Sequence, residues 1–268
     1  MRARLLSWNV AGRVKRALEQ LERVRDSAAD IVCLQEVSPA TEAFWRRALS
    51  AHGWPHVEVG PLAPARAAGR SRLLAALTAA RHPLEVLAVA GLPWPERVLA
   101  TRVEALEIVN VHSPISQRPG LVKVLTHEAV HAHLMAARGP RLVCGDLNTP
   151  RKEHSDGRVW TFARTQHGKL RPERGERWDA AELALIKGLE PAGFRDAFRA
   201  RHGYDVRELS WEWPRWGGGY RLDHLIVSAE VEVDAISYVH AWRKEGLSDH
   251  SALIAEVQWP ARAPAGIG

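Results

Sequence analysis

Short apolar runs recur along the chain, separated by polar and turn-forming residues. Arg4 to Trp8, Ile31 to Gln35, Leu73 to Thr78, Leu84 to Val89, Ala105 to His112, Arg141 to Cys144, Leu222 to Val227, Val231 to Tyr238 and Ala252 to Val257 have the length and aliphatic content of strands. Between them Val14 to Val24, Thr41 to Leu49, Leu121 to Leu134 and Ala180 to Leu189 carry apolar residues at helical spacing. The pattern predicts a mixed α and β chain. The Gly/Ala/Arg stretch from Arg66 to Arg72, shortly after Pro64, reads as a loop. Arg151 to Asp179 is rich in charge and poor in aliphatics, and reads as a long surface loop of the kind that often carries function. No repeat, low-complexity block or linker interrupts the pattern, so one domain over residues 1–268 is expected.

Composition narrows the picture a little. A 46% hydrophobic and 25% charged chain of 268 residues can bury a sizeable core, which excludes disorder, collagen and disulfide scaffolds. The apolar stretches fall short of the roughly 18 residues of a membrane span. The amino terminus lacks both the apolar core and the small-residue cleavage site of a signal peptide. A cytoplasmic protein is expected, and the two cysteines, Cys33 and Cys144, each within an apolar run, are expected to be buried free thiols. The net charge of +6 favours a polyanionic partner without defining one.

Polar residues sit where apolar periodicity cannot explain them, at the ends of the strand candidates. They are Asn9, Gln35 and Glu36, Asn110 and His112, Asp146 and Asn148, Asp223 and His224, then Asp249 and His250. Singly, each has an ordinary reading as a turn or cap residue. Together, carboxylates and amides without cysteine ligands suit a hard, oxygen-loving cation such as magnesium, and histidines beside it suit phosphoryl oxygens. In an extended segment the two-residue spacing of Asp146 and Asn148 puts both on one face, where they could hold a water between them.

The strings Ser7-Trp8-Asn9, Leu34-Gln35-Glu36-Val37, Asn110-Val111-His112, Gly145-Asp146-Leu147-Asn148, Arg221-Leu222-Asp223 and Ser248-Asp249-His250 resemble, in order and spread, the motif set of the endonuclease/exonuclease/phosphatase superfamily. The resemblance implies an α+β fold, a four-layer sandwich of two packed, mainly antiparallel sheets flanked by helices, with the site at one edge where the strand-end loops meet. Ser210-Trp211 followed by Gly219-Tyr220-Arg221-Leu222-Asp223 is similar to the exodeoxyribonuclease III and abasic-site endonuclease branch. That likeness implies substrate binding by Trp211, Tyr220, Arg221 and Leu222, with Trp211, Tyr220 and Leu222 lining a pocket for a flipped abasic sugar. One departure stands out, since that branch usually has tyrosine where this chain has His112, and histidine there is more similar to deoxyribonuclease I or the phosphatases.

The same resemblance implies roles. Asn9, Glu36 and Asp249 would hold Mg²⁺, for which Mn²⁺ could substitute. Asp146 would orient or deprotonate the attacking water and Asn148 would fix it or donate to the phosphate. His112 and His250 would donate to phosphoryl oxygens, and Asp223 would set the tautomer of His250. The implied reaction is Mg²⁺-dependent hydrolysis of phosphodiester bonds in DNA by a monomer. A phosphatase or phosphodiesterase acting on RNA, lipid or inositol phosphates is the nearest alternative.

With DNA as the implied partner, Arg66, Arg70, Arg72 and the cations from Arg151 to Arg177 become candidates for tracking the phosphate backbone. Trp211, Trp213 and Trp216 could stack on bases, whereas Trp45 and Trp160 read as packing residues. One motif competes. His127-Glu128-Ala129-Val130-His131 matches the zinc-peptidase pattern on a helix, but no third-ligand pattern follows it. A non-catalytic DNA-binding module is disfavoured, because every expected catalytic position holds a competent residue.

Overall fold

The computed structural model describes residues 1–115, 120–213, 215 and 217–261. The chain runs β1 (Arg2–Asn9), α1 (Ala17–Asp26), β2 (Ile31–Val37), α2 (Pro39–Ala51), β3 (His56–Val59), α3 (Leu62–Ala67), β4 (Ala75–Ala80), β5 (Leu84–Leu87), β6 (Val98–Val103), β7 (Leu106–His112), α4 (Val122–Ala136) and β8 (Arg141–Asp146). It continues through the short β9 (Lys152–Glu153) and β10 (Val159–Trp160), α5 (Gly175–Ile186), β11 (Arg195–Asp196) and α6 (Ala197–His202). A second short pair, β12 (Trp211–Glu212) and β13 (Gly219–Tyr220), precedes β14 (Asp223–Val227), β15 (Glu232–Val239), α7 (His240–Lys244) and β16 (Ala252–Gln258).

Two six-stranded sheets form among these residues, ordered β15-β16-β1-β2-β4-β3 and β11-β14-β8-β7-β6-β5. Each is antiparallel except for one central parallel pair, β1 with β2 and β7 with β8. Alternation explains why the central strands read as unbroken apolar runs. Leu5, Ile31 and Cys33 face the other sheet and pack on Ile108, Leu142, Cys144 and Leu225. Their neighbours Leu6, Trp8, Val32 and Leu34 face outward onto Leu21 and Val24 of α1 and Trp45 and Leu49 of α2. On the second sheet Val109, Val111 and Val143 meet Val130 and Leu134 of α4 and Leu185 of α5. Strands covered on both faces have no polar side to show. Both cysteines are buried free thiols, as expected.

The structure corrects several elements. Strands β3 and β6 were not expected, and β6 hides because Thr101 and Arg102 interrupt its apolar run. The stretch from Arg151 to Asp179 is no plain loop: it contains β9 and β10 and the first turns of α5. That helix starts at Gly175, before Ala180, and its first turns bury Asp179, a polar residue that apolar periodicity cannot register.

Candidate active site

Strand register gathers the polar strand ends. His112 stands opposite Asp146 across the parallel pair, and Asp146 opposite Asp223 across β14. From the other sheet, β1 and β2 deliver Asn9 and Glu36 to the same edge, because both parallel pairs point their carboxyl ends that way. Buried amides tie the sheets together there. Gln35 Nε2 donates to Asn110 Oδ1 at 2.8 Å, and Asn110 Nδ2 donates to the Leu77 carbonyl at 2.8 Å. Gly145 lets β7 and β8 close up, since a Cβ at this position would lie 2.2 Å from the Val111 carbonyl oxygen. Glu36 and Asn148 hold left-handed backbone at φ 60° and 49°, a conformation that costs about 1–3 kcal/mol in a non-glycine residue and tends to persist at sites.

Glu36 Oε1 lies 3.3 Å from His112 Nε2, and Glu36 Oε2 accepts from Arg72 at 2.6 Å. Burial opposes its ionisation, but His112, Arg72 and Asn9 outweigh burial and hold its carboxyl well below the usual range. Asp146 accepts from Asn9 Nδ2 at 3.0 Å, from Asn148 Nδ2 at 3.1 Å and from the Asn148 backbone amide at 2.9 Å. Burial, helped by the charge of Asp223, pushes Asp146 up to about 6 against the pull of His250. His250 Nδ1 is 2.8 Å from Asp223 Oδ2, and its Nε2 is 3.8 Å from Asp146. Burial resists charge on this ring, but the two carboxylates overcome it and raise His250 to about 10, so an imidazolium sits between two acids. Ser210 Oγ accepts from the amides of Leu222 and Asp223, and the Tyr238 hydroxyl donates to the Asp223 carbonyl, which fixes that acid. Ser248 Oγ donates to the Asn9 carbonyl and accepts from the His250 amide, locking the last motif to the first.

Of this cluster, Glu36, Asp146, Asn148 and His250 reach the floor of a cleft of about 700 Å³. Phe162, Trp211, Trp213 and Tyr220 wall it, packed on one another with ring centres 4.8 to 6.0 Å apart. Leu222 and Arg72 also line it. Trp211 Nε1 donates to Asp249 Oδ2 at 3.2 Å, so the wall is bonded to a carboxylate of the site. Trp216 lies outside the described residues. Trp45 is fully buried and Trp160 packs against His154, the packing roles expected of both.

Other candidates lie elsewhere. Arg221 is withdrawn from the catalytic cleft: its guanidinium is buried and paired with Glu153 at 2.6 Å and Asp196 at 2.7 Å, so it braces the sheet. Arg70 is also withdrawn from the cleft, bonded to Glu96 at 2.8 Å over the Trp94 ring. In the zinc-peptidase pattern, His127 is fully buried with its ring nitrogens against Ser113 Oγ at 2.7 Å and the Ala181 carbonyl at 3.2 Å. Glu128 is engaged by Arg177. With both nitrogens taken, His127 has none to offer zinc.

The donor chemistry fits a hard divalent cation. Glu36, His112 and Asp146 present ligand atoms close enough to share one ion; Asp146, Asp223 and His250 lie as close together, but the His250 imidazolium has no lone pair to give a metal. Asn9 turns its NH₂ toward the carboxylates while its Oδ1 accepts from Ala11, so here it aligns acids rather than offering an oxygen. Asp249 lines the cleft but belongs to neither group. Sequence reasoning missed Arg97, buried with Nη1 3.5 Å from His112 Nε2, because a lone arginine after Trp-Pro-Glu carries no signal. It also missed Phe162, hidden in a supposed loop, and Lys123. The Lys123 ammonium donates to the Asn148 carbonyl at 2.6 Å from within a buried pair with Glu182.

Two mixed sheets back to back, helices outside, and acids, amides and imidazoles gathered at one edge define the class of the endonuclease/exonuclease/phosphatase sandwiches. Residues 6–250 match the Endonuclease/Exonuclease/phosphatase family, and the chain belongs to it. It is 26% identical over 247 residues to the exodeoxyribonuclease of Bacillus subtilis, covering 85% of this chain and 89% of that one. Its fold is similar to an AP endonuclease from Archaeoglobus fulgidus, with a TM-score of 0.70 at 18% identity over 94% of this chain and 98% of that one. It is also similar to a 3′-5′ exonuclease from Neisseria meningitidis, with a TM-score of 0.68 at 22% identity over 96% of this chain and all of that one.

Proposed function

We propose that this chain is a Mg²⁺-dependent phosphodiesterase that cleaves DNA, acting as a cytoplasmic monomer with residues 1–268 as one domain. The observation that carries the reading is the row His112, Asp146 and Asp223 on one sheet, faced by Glu36 of β2 and by His250 just before β16 from the other. Glu36, with Asp249 from the cleft wall, would hold the ion, and Asn9 would align Glu36 with Asp146. The chemistry an ion held there would supply is neutralisation of charge on the scissile phosphate and a lower pKa for the attacking water.

The protein's own groups supply the rest. Asp146, raised toward neutrality by burial, is suited to take a proton from water, and Asn148, pinned by its bonds to Asp146 and the Ser113 carbonyl, orients that water. His250, kept cationic by Asp223 and Asp146, donates to phosphoryl oxygens as charge grows on them, and His112 does so from the Glu36 side. The wall of Trp211, Tyr220 and Leu222 suits an unpaired sugar, and the B. subtilis and A. fulgidus relatives, an exodeoxyribonuclease and an AP endonuclease, support DNA as the substrate and abasic sites as a target.

Asp146→Ala and His250→Ala should each lower kcat on a labelled duplex at least about 100-fold. Glu128→Ala, on the exposed side of α4, should leave it unchanged. A peptidase would show the reverse pattern.

A further inference from the structure

Four of the eight cations in the basic stretch after β8 pair with carboxylates of the protein: Arg158 with Asp156, Arg164 with Asp179, Arg171 with Glu173 and Arg177 with Glu128. Arg151 and Lys152 have no carboxylate partner among the described residues, and neither does Arg207, from the loop before β12. All three line one cavity of about 370 Å³. Lys152 lies with its ammonium 5.0 Å from the centre of the Trp160 ring, which steadies it without neutralising it.

The cavity floor does not repel an anion. Glu153 is gripped by two guanidiniums, Arg221 at 2.6 and 2.9 Å and Arg199 at 2.7 and 3.1 Å, and since Arg221 is shared with Asp196 at 2.7 Å the two cations balance the two carboxylates. Glu208 faces His240 at 3.1 Å. Asp205 is the remaining carboxylate in the lining, exposed and without a cationic partner among the described residues. Tyr220 lines both this cavity and the catalytic cleft, so the two adjoin across one aromatic ring. Three like charges around a concave surface repel one another, and a phosphate placed among them removes that cost while releasing its own counterions.

We propose that this cavity is a phosphate subsite that takes a backbone phosphate of the nucleic acid away from the bond being cut, with Arg151, Lys152 and Arg207 as its cations. The inference rests on the reading of the chain as a nuclease. It separates these cations from the paired ones beside them, and it adds Arg207, which lies in a different loop.

The test compares Arg151→Ala, Arg207→Ala and Asp205→Asn on two substrates: a labelled duplex long enough to span both cavities, and bis(p-nitrophenyl) phosphate, which fills only the cleft. Each arginine variant should raise the duplex KM about fivefold and reduce the slope of log KM against log salt by about 0.7–0.9. The duplex kcat and the small-diester kinetics report on the cleft itself, so the signature is a split between KM and kcat. Asp205→Asn should lower the duplex KM. Wild-type KM and salt slope in both arginine variants would overturn the subsite, as would equal losses on the two substrates. Wild-type protein that cleaves the small diester but no nucleic acid would sink the nuclease reading, and the subsite with it, before any variant is made.

Discussion

Asp146 illustrates how much one residue depends on its neighbours. Gly145, just before it, has φ 116° and no room for a Cβ against Val111, and this close approach of β7 and β8 sets His112 opposite Asp146. Gly145→Ala should therefore cost about 2–4 kcal/mol by urea denaturation, with activity lost even where the variant folds. A loss below about 0.5 kcal/mol would mean that the strands can part without consequence. At this scale the site was legible wherever a polar residue bounded an apolar run, after it at Asn9, Glu36 and Asp146 and before it at His250. Arg221 misled because it sits inside a motif, while the acids that claim it, Glu153 and Asp196, lie 68 and 25 residues away in sequence. Nothing local announces such partners.

Between elements, the buried pair Lys123 and Glu182 joins α4 to α5. Lys123 also holds the carbonyl of left-handed Asn148, and Glu182 accepts from Thr149 Oγ1, the Phe162 amide and the Trp178 indole. Replacing Lys123 with methionine leaves a carboxylate buried beside the site without its ammonium. The expected cost is about 3–5 kcal/mol, read from chemical denaturation. A change under about 1 kcal/mol would show that the pair is not what secures the turn carrying Asn148. Most of the longer strands were legible because they are covered on both faces. The short or polar elements were not: β3 is only half-buried, and α5 hides Asp179 and Glu182 on a face that sequence periodicity treats as solvent.

For the whole molecule, two histidines shape stability against pH in opposite directions. Burial lowers His127 to about 3 from an ordinary value near 6.5, so its contribution is complete above 6.5 and is lost as pH falls toward 3. His250, raised to about 10, contributes fully below 6.5 and loses that contribution as pH climbs through 10. Stability should fall by about 2 kcal/mol from His127 alone between pH 6.5 and 5, and His127→Gln should flatten that limb. An unchanged slope in the variant would mean that the buried ring is not the group being titrated. The proposal that spans the whole fold is a cleft at the edge of two sheets that uses a divalent ion to cut DNA. Its most direct measurement is cleavage of an end-labelled duplex carrying one abasic-site analogue, beside an intact control, with Mg²⁺ and with chelator. Incision at the lesion with Mg²⁺ and none with chelator is expected, whereas equal cleavage in chelator, or an uncut strand with Mg²⁺, would overturn the proposal.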